Sequence, residues 1–206
     1  DPATQMRIIT SGNPDLKPEE ADIWYAGAVF DVKAVKGLSF AIDYFKFEID
    51  DVISAPADTT LLAREDQFPG AIVRDNTQGN PGPILFIRRV PFNVAKQWYE
   101  GADFEAKYDL RDTRWGNFLF TFNATRTLSI KSNTGIRDAN GNLPDDFENV
   151  GLYNNPKWNG TSAVSWTYKD WGSAIRANYL GAYYNDAYTV AGWGENQVTT
   201  VNAQVS

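Results

Sequence analysis

Apolar and polar side chains alternate along long stretches of this sequence, and this period of two constrains the fold more than any other feature. In the window 97–110, Phe104 and Tyr108 fall at even positions, whereas Asp103 and Glu105 fall at odd positions. Side chains two residues apart lie on the same face of a β-strand. The window therefore predicts a strand with one apolar and one ionic face, and residues 117–126 repeat the pattern.

Seven segments of this kind can be drawn, so the chain is predicted to be almost entirely β. They are Ala21–Ala34, Leu38–Val52, Val94–Leu110, Gly116–Ile130, Trp158–Lys169, Ser173–Tyr184 and Gln197–Ser206. Several exceed the usual strand length of about 5 to 6 residues and reach the roughly 9 to 11 tilted residues that cross a bilayer. Strand length therefore favours a membrane barrel.

The connections between these segments alternate between short and long. The short ones are Val35–Gly37, Arg111–Trp115 and Asp170–Gly172, and the long ones are Ile53–Asn93, Lys131–Lys157 and Tyr184–Asn196. Gly37, Gly116 and Gly172 are expected to supply a positive φ or a close backbone approach at the short turns. Short turns at one end and long loops at the other are typical of an antiparallel up-and-down transmembrane β-barrel, which is the predicted fold class.

The two faces of the predicted strands carry different chemistry. Aromatic residues near the short turns are expected to form a membrane–water girdle; they are Phe40, Trp115, Trp166, Tyr168 and Trp171. Polar residues on the opposite face are expected to point into the barrel lumen; they are Asp43, Asp103, Thr121, Asn123, Arg176 and Asn178. A closed apolar core would bury these polar groups at a high cost in free energy.

Composition excludes several functions. The sequence has no Cys and no His, so a disulfide framework, a thiolate metal site and a Ser-His or Cys-His catalytic pair are all excluded. The net charge of -7, without a basic cluster, argues against nucleic-acid binding. Glu48, Asp50 and Asp51 do not form a glycosidase pair, because the adjacent residues Asp50 and Asp51 point to opposite faces of a strand. We expect no enzyme activity and no cofactor.

Several segments, taken in order, resemble TonB-dependent outer-membrane receptors. They are the stretch GNPDLKPE at 12–19, KGLSFAIDYF at 36–45 with DVI at 51–53, EGADFEA at 100–106, NPKWNG at 155–160, and TTVNAQVS at 199–206. The resemblance spans nearly the whole chain. Asn202 stands where the family often has Asp.

The resemblance implies a function and a location. Such receptors bind a large, scarce solute, such as a siderophore, cobalamin or an oligosaccharide, and import it across the outer membrane of Gram-negative bacteria with energy delivered by TonB. Residues 1–206 would be about seven strands of a barrel of roughly 22, contributing wall and extracellular loops. The plug domain and the TonB box, through which TonB would act, are expected to lie outside this sequence.

One long loop contains charged and aromatic residues suited to ligand binding. We expect Arg74, Phe86, Arg88 and Arg89 to face the solute, close to Arg64, Asp66, Asp75 and Phe92. A solvated loop with no specific ligand is the alternative.

Two further alternatives remain open at this stage. The segment Asp138–Asn142, with Asp145 and Asp146 nearby, has the oxygen density of a calcium loop, although a surface Asn-Gly turn is the default interpretation. The whole chain could also be a soluble seven-stranded β-sandwich that binds carbohydrate or acts in adhesion. In that fold Phe118, Phe120 and Phe122 would be enclosed between two sheets.

Overall fold

Seven longer strands form one sheet in a computed structural model that describes residues 7–152, 155–184, 194–195 and 198–205, the last two ranges as backbone only. The spatial order is β13-β10-β9-β7-β6-β3-β2, and the short strand β8 (Phe147–Glu148) pairs with β7. The bounds are β2 Glu20–Asp31, β3 Leu38–Ser54, β6 Phe92–Thr113, β7 Gly116–Asn133, β9 Trp158–Tyr168, β10 Trp171–Leu180 and β13 Val198–Val205. Successive long strands are neighbours throughout, which is an up-and-down meander.

The predicted fold class is confirmed. Each of the seven predicted segments coincides with one of these strands, although Gln197 and Ser206 lie outside the described residues. At their loop ends, β6 extends two residues and β7 three residues beyond the prediction. At its turn end β6 extends three residues further, so the predicted turn Arg111–Trp115 was too long.

The tight turns have specific backbone geometry. β6 and β7 are joined by Arg114–Trp115 alone, and β9 and β10 by Lys169–Asp170. Gly116 has φ of 104°, and a Cβ there would lie 2.2 Å from the carbonyl oxygen of Thr167, so only glycine fits. Gly172 does not have the positive φ of its turn: it lies within β10 opposite Thr167, and Lys169 adopts the positive φ instead. A close backbone approach at Gly172 stays a prediction.

Strand register separates an apolar face from a polar one. Phe120 pairs with Val164, which pairs with Ile175, and all three are exposed. On the opposite face the same strands align Asn123 with Thr161 and Asn178, and Thr121 with Ala163 and Arg176. The residues predicted to share the lumen face in β7 and β10 therefore do share one face.

The sandwich alternative is wrong for this seven-stranded sheet. Phe120 and Phe122 are 38% and 46% exposed, and Phe118 and Phe120 stack on each other with ring centroids 6.2 Å apart. Tyr108 of β6 stacks beside Phe120 on the same face, at 6.0 Å. These rings form a continuous exposed apolar surface that no second sheet covers within the described residues.

The exposed apolar face has the height of a membrane. The ten residues Asn117–Arg126 of β7 that pair with β9 rise about 3.3 Å each and, tilted by about 40°, span about 25 Å, as in outer-membrane barrels. At the turn end the predicted girdle residues Phe40, Trp115, Tyr168 and Trp171 are exposed, and Trp166 donates Nε1–H to the Trp115 carbonyl at 2.6 Å. At the other end, Arg126 lies over the Trp158 ring at 5.1 Å.

The chain divides into two compact units. The sheet unit, which carries the two faces just described, contains residues 22–48, 98–131 and 147–206. The loop unit contains residues 1–21, 49–97 and 132–146. A short antiparallel pair, β11 (Tyr183–Tyr184) and β12 (Gly194–Glu195), belongs to the sheet unit.

The loop unit has its own folded core, which the sequence patterns do not predict. β1 (Ile8–Thr10) pairs in parallel with β5 (Ile84–Arg89), which pairs antiparallel with β4 (Ile72–Arg74), and helix α1 spans Asp58–Ala63. The buried core residues are Leu61, Phe68, Ala71, Ile72 and Ile87. The segment predicted as one long loop is therefore a small packed structure. No helix in the part of the chain that the structure describes is long and apolar enough to span a membrane.

A lysine should destabilise the protein more on the apolar face of the sheet than on the polar face. In the intact protein, Phe122→Lys should destabilise the bilayer-inserted state by about 2 to 4 kcal/mol, because its ammonium group would enter hydrocarbon. The neighbouring change Asn123→Lys, on the polar face, should cost less than about 1 kcal/mol. Urea titrations in phospholipid vesicles measure both. Equal losses would contradict the assignment of faces.

Candidate functional site

The polar face of the sheet unit lines an open cavity with a volume of about 690 Å³. Asp43, Asp103, Asn123 and Asn178, all predicted to face the lumen, line it together with Thr125. The Thr125 hydroxyl donates to Asp103 at 2.6 Å, and the Thr161 hydroxyl donates to Asn178 at 2.9 Å. This surface is rich in hydrogen-bond acceptors, which water or polar protein groups can satisfy.

An aromatic cluster on the same face was missed by the sequence interpretation. The Phe45 ring stacks on Tyr99 at 5.8 Å and contacts Phe47 at 5.9 Å. A Cβ at position 101 would lie 2.5 Å from Phe45 Cζ, so Gly101 provides the space for that ring. The glycine within the EGADFEA stretch was the available signal.

The four residues predicted to face the solute lie on the paired strands β4 and β5, but their side chains have different surroundings. The Arg74 guanidinium donates to Glu65 at 2.8 Å and to the Gly82 carbonyl at 3.0 Å, which fixes its position. Hydrogen bonds from Arg74 hold the pKa of the Glu65 carboxyl below its usual value. Arg74 therefore connects two parts of the loop unit.

Arg88 and Arg89 point to opposite sides of β5 because they are adjacent in a strand. Arg89 donates to Asp58, in the first turn of α1, with Nε at 3.0 Å from Oδ1. Arg88 is exposed and lines a second cavity, of about 620 Å³, within the loop unit. Phe86, on the same side of β5 as Arg88, is partly buried and is not among the residues that line this cavity.

The cavity of the loop unit brings together residues that are distant in sequence. Its charged lining residues are Asp15, Lys17, Asp51 and Arg88, and Val90, Phe92 and Val94 provide apolar surface. Of these, the sequence interpretation placed only Arg88 at the site and named Phe92 as a neighbour. The Asn-Pro step in GNPDLKPE was a signal for the turn, since the Asn13 side chain accepts from the Asp15 amide at 3.0 Å.

The candidate calcium segment forms a hydrogen-bonded turn. The Asp138 carboxylate accepts from the amides of Asn140 and Asn142 at 2.8 and 2.9 Å, and Gly141 has φ of 83°. Among the described residues, no group of three or more Asp or Glu side chains is close enough to hold a metal ion. The geometry is that of the default Asn-Gly turn.

Two of the three carboxylates considered for glycosidase chemistry have cationic partners. Glu48 forms an ion pair with Lys46 at 2.6 Å, and Asp50 forms one with Lys96. Asp51 has φ of 55°, and its carbonyl accepts from Asn93 at 2.8 Å. No pair of facing carboxylates arises from these three residues.

The Glu65–Arg74 pair makes the loop unit sensitive to acid. Because the folded-state pKa of Glu65 is lowered, its stabilisation is complete above its unfolded pKa of about 4.5 and is lost as the pH falls through the lower folded value. Amide hydrogen exchange of residues 61–74, corrected for intrinsic rates, should show reduced protection on acidification from pH 7 to pH 3.

Glu65→Gln should be less protected at pH 7 and should lose less additional protection on acidification. Asp66→Asn is the matched control, because Asp66 is largely exposed and forms its ion pair with Arg64 rather than with Arg74. Identical pH profiles for the Glu65 variant and the unmodified protein would contradict the assigned contribution of the pair.

Comparison with known proteins agrees with the geometry. A family described as TonB dependent receptor-like, beta-barrel, matches residues 3–206. A search of curated proteins finds no match. Such receptors are transporters rather than enzymes and are characteristic of the Gram-negative outer membrane. Since the match covers nearly the whole sequence and the structure shows an antiparallel meander with an exposed apolar face, the chain belongs to the TonB-dependent receptor β-barrel family.

Proposed function

We propose that this chain forms part of the wall and the extracellular loops of an outer-membrane receptor that imports a large, scarce solute, with the energy supplied through TonB. The solute would be a molecule such as a siderophore, cobalamin or an oligosaccharide. The family match over residues 3–206 is the observation that carries the proposal. In this proposal residues 1–206 belong to a larger barrel domain, and TonB acts through a plug domain outside this sequence.

The asymmetry of the connections supports this assignment. The two-residue turns Arg114–Trp115 and Lys169–Asp170 would face the periplasm, and the long connections 55–91 and 134–146 would be extracellular. A folded loop loses less conformational entropy when a solute binds than a disordered loop would lose. The loop unit, with its own buried core, is therefore suited to capture a solute.

The inner polar face supports import of a hydrophilic solute. Asp103, Asn123 and Asn178 offer hydrogen-bonding groups to whatever occupies the lumen, whereas the outer face is apolar. A polar solute that leaves the extracellular loops would meet hydrogen-bonding groups rather than hydrocarbon.

Uptake measurements test the proposal. In the native host, uptake of a radiolabelled ferric siderophore, of cobalamin, of a malto-oligosaccharide and of a short peptide is compared among the parent strain, a receptor deletion and a tonB deletion. One of the four solutes should lose high-affinity uptake in both deletions. If the receptor deletion leaves uptake of all four solutes unchanged, the proposal is contradicted.

A loop deletion separates capture from barrel assembly. Residues 55–91 are replaced by a short Gly-Ser turn, which is sterically possible because β3 and β6 are neighbours in the sheet. The variant should still show the heat-dependent shift in gel mobility of a folded barrel but should lose high-affinity solute binding. Retention of full affinity would contradict the assignment of capture to this loop.

A further inference from the structure

The wall of the loop-unit cavity is held in place by hydrogen bonds from both ends of the segment Ser11–Lys17. The Asn93 side chain accepts from the Lys17 amide and donates to the Lys17 carbonyl, both at 2.9 Å, as a paired strand would. Asn13 donates to the Pro91 carbonyl at 3.0 Å, and the Ser11 amide donates to the Arg89 carbonyl at 3.2 Å. The GNPDLKPE segment is therefore a fixed wall, and the cavity is preorganised.

Four charged side chains line this cavity without forming ion pairs. They are Lys17, Arg88, Asp15 and Asp51, and within the described residues none of their charged groups bonds to another protein group. Elsewhere in the same unit, Arg64, Arg74, Arg89 and Lys96 have carboxylate partners, whereas Arg137 donates to the Gly141 carbonyl. Two cations and two anions thus line one cavity, and none of the four forms an ion pair within the described residues.

We propose that this cavity binds a zwitterionic solute, such as a short peptide, through both of its charged ends. Arg88 and Lys17 would bind the carboxylate, for which a guanidinium group offers two parallel hydrogen bonds. Asp15 and Asp51 would bind the ammonium group. Val90, Phe92 and Val94 would contact the apolar part of the solute, and about 620 Å³ is within the usual range for a small-ligand site.

The balance of charge distinguishes this solute from others. A purely anionic ligand would be repelled by Asp15 and Asp51, and a purely cationic ligand would be repelled by Lys17 and Arg88. A neutral polyol would form no ion pair with any of the four side chains. The inference rests on the proposed TonB-dependent import, and it names a zwitterionic peptide as the solute class in place of the examples given there.

Calorimetry on the intact receptor in detergent tests the inference with four forms of one tetrapeptide, Ala-Leu-Leu-Ala. The forms are the free zwitterion, the N-acetylated peptide, the C-amidated peptide and the doubly blocked peptide. The zwitterion should bind saturably, and each single block should weaken binding at least tenfold. Equal affinity for the four forms, or no saturable binding of the zwitterion, would overturn the inference.

Variants assign each end of the peptide to its partners. In the Arg88→Gln receptor, C-amidation of the peptide should no longer weaken its binding. In the Asp51→Asn receptor, N-acetylation should no longer weaken it, as in a double-mutant cycle. Arg137→Gln and Asp145→Asn are matched controls, because they remove the same charges from the same unit away from the cavity lining. If the controls weaken binding as much as the cavity variants, the attraction is one of net charge and the inference fails.

A steric variant provides a readout independent of charge. Gly12 lines the cavity, and a Cβ there would meet nothing within 4 Å, so Gly12→Phe adds bulk without a backbone clash. It should abolish peptide binding and leave the protease-resistance pattern of the receptor unchanged. Unaltered binding in a folded Gly12→Phe receptor would contradict the location of the site.

Failure of the cavity inference can be distinguished from failure of the proposed transport function. TonB-dependent uptake of another solute, combined with no peptide binding, would overturn the cavity inference and leave the transport function in place. Peptide binding in a receptor without any TonB-dependent uptake would support the cavity inference and overturn the transport function.

Discussion

The pairing of every backbone amide and carbonyl between neighbouring strands is the constraint on which the rest of this structure depends. A bilayer offers no water to an unpaired peptide group, so the strands must satisfy one another along their whole length. The unbroken register across β7, β9 and β10 does this, and it leaves the side chains of each strand facing two different solvents. The apolar face carries Phe120, Val164 and Ile175, and the polar face carries Asn123, Thr161 and Asn178.

The same constraint explains which parts of the fold can be predicted from the sequence. A one-residue shift in register would move Phe120 to the polar side and Asn123 to the hydrocarbon, so the spanning strands need a clear alternation of apolar and polar residues. Those strands could be predicted to within a few residues. Outside that zone no such rule applies, and β1, β4 and β5 are strands of three to six residues without a repeated pattern.

The loop unit and its cavity depend on contacts between distant segments. β1 pairs with β5, and Asn93 binds the backbone of Lys17, although many residues separate the partners in each case. The sequence shows that Arg74, Arg88 and Arg89 are present, but it does not show that Glu65 and Asp58 neutralise two of them. The placement of Arg88 and Arg89 on opposite sides of their strand could have been predicted from the sequence, because adjacent strand residues point to opposite faces.

The charged lining of the cavity and the buried core of the loop unit are made of different residues. Leu61, Phe68 and Ile87 hold the unit together, whereas Lys17, Arg88 and Asp51 lie at its surface and contribute little to that packing. A substitution at one of these charged positions therefore removes no side chain from the buried core. The charge pattern of the cavity and the packing of the loop unit can be changed independently of each other.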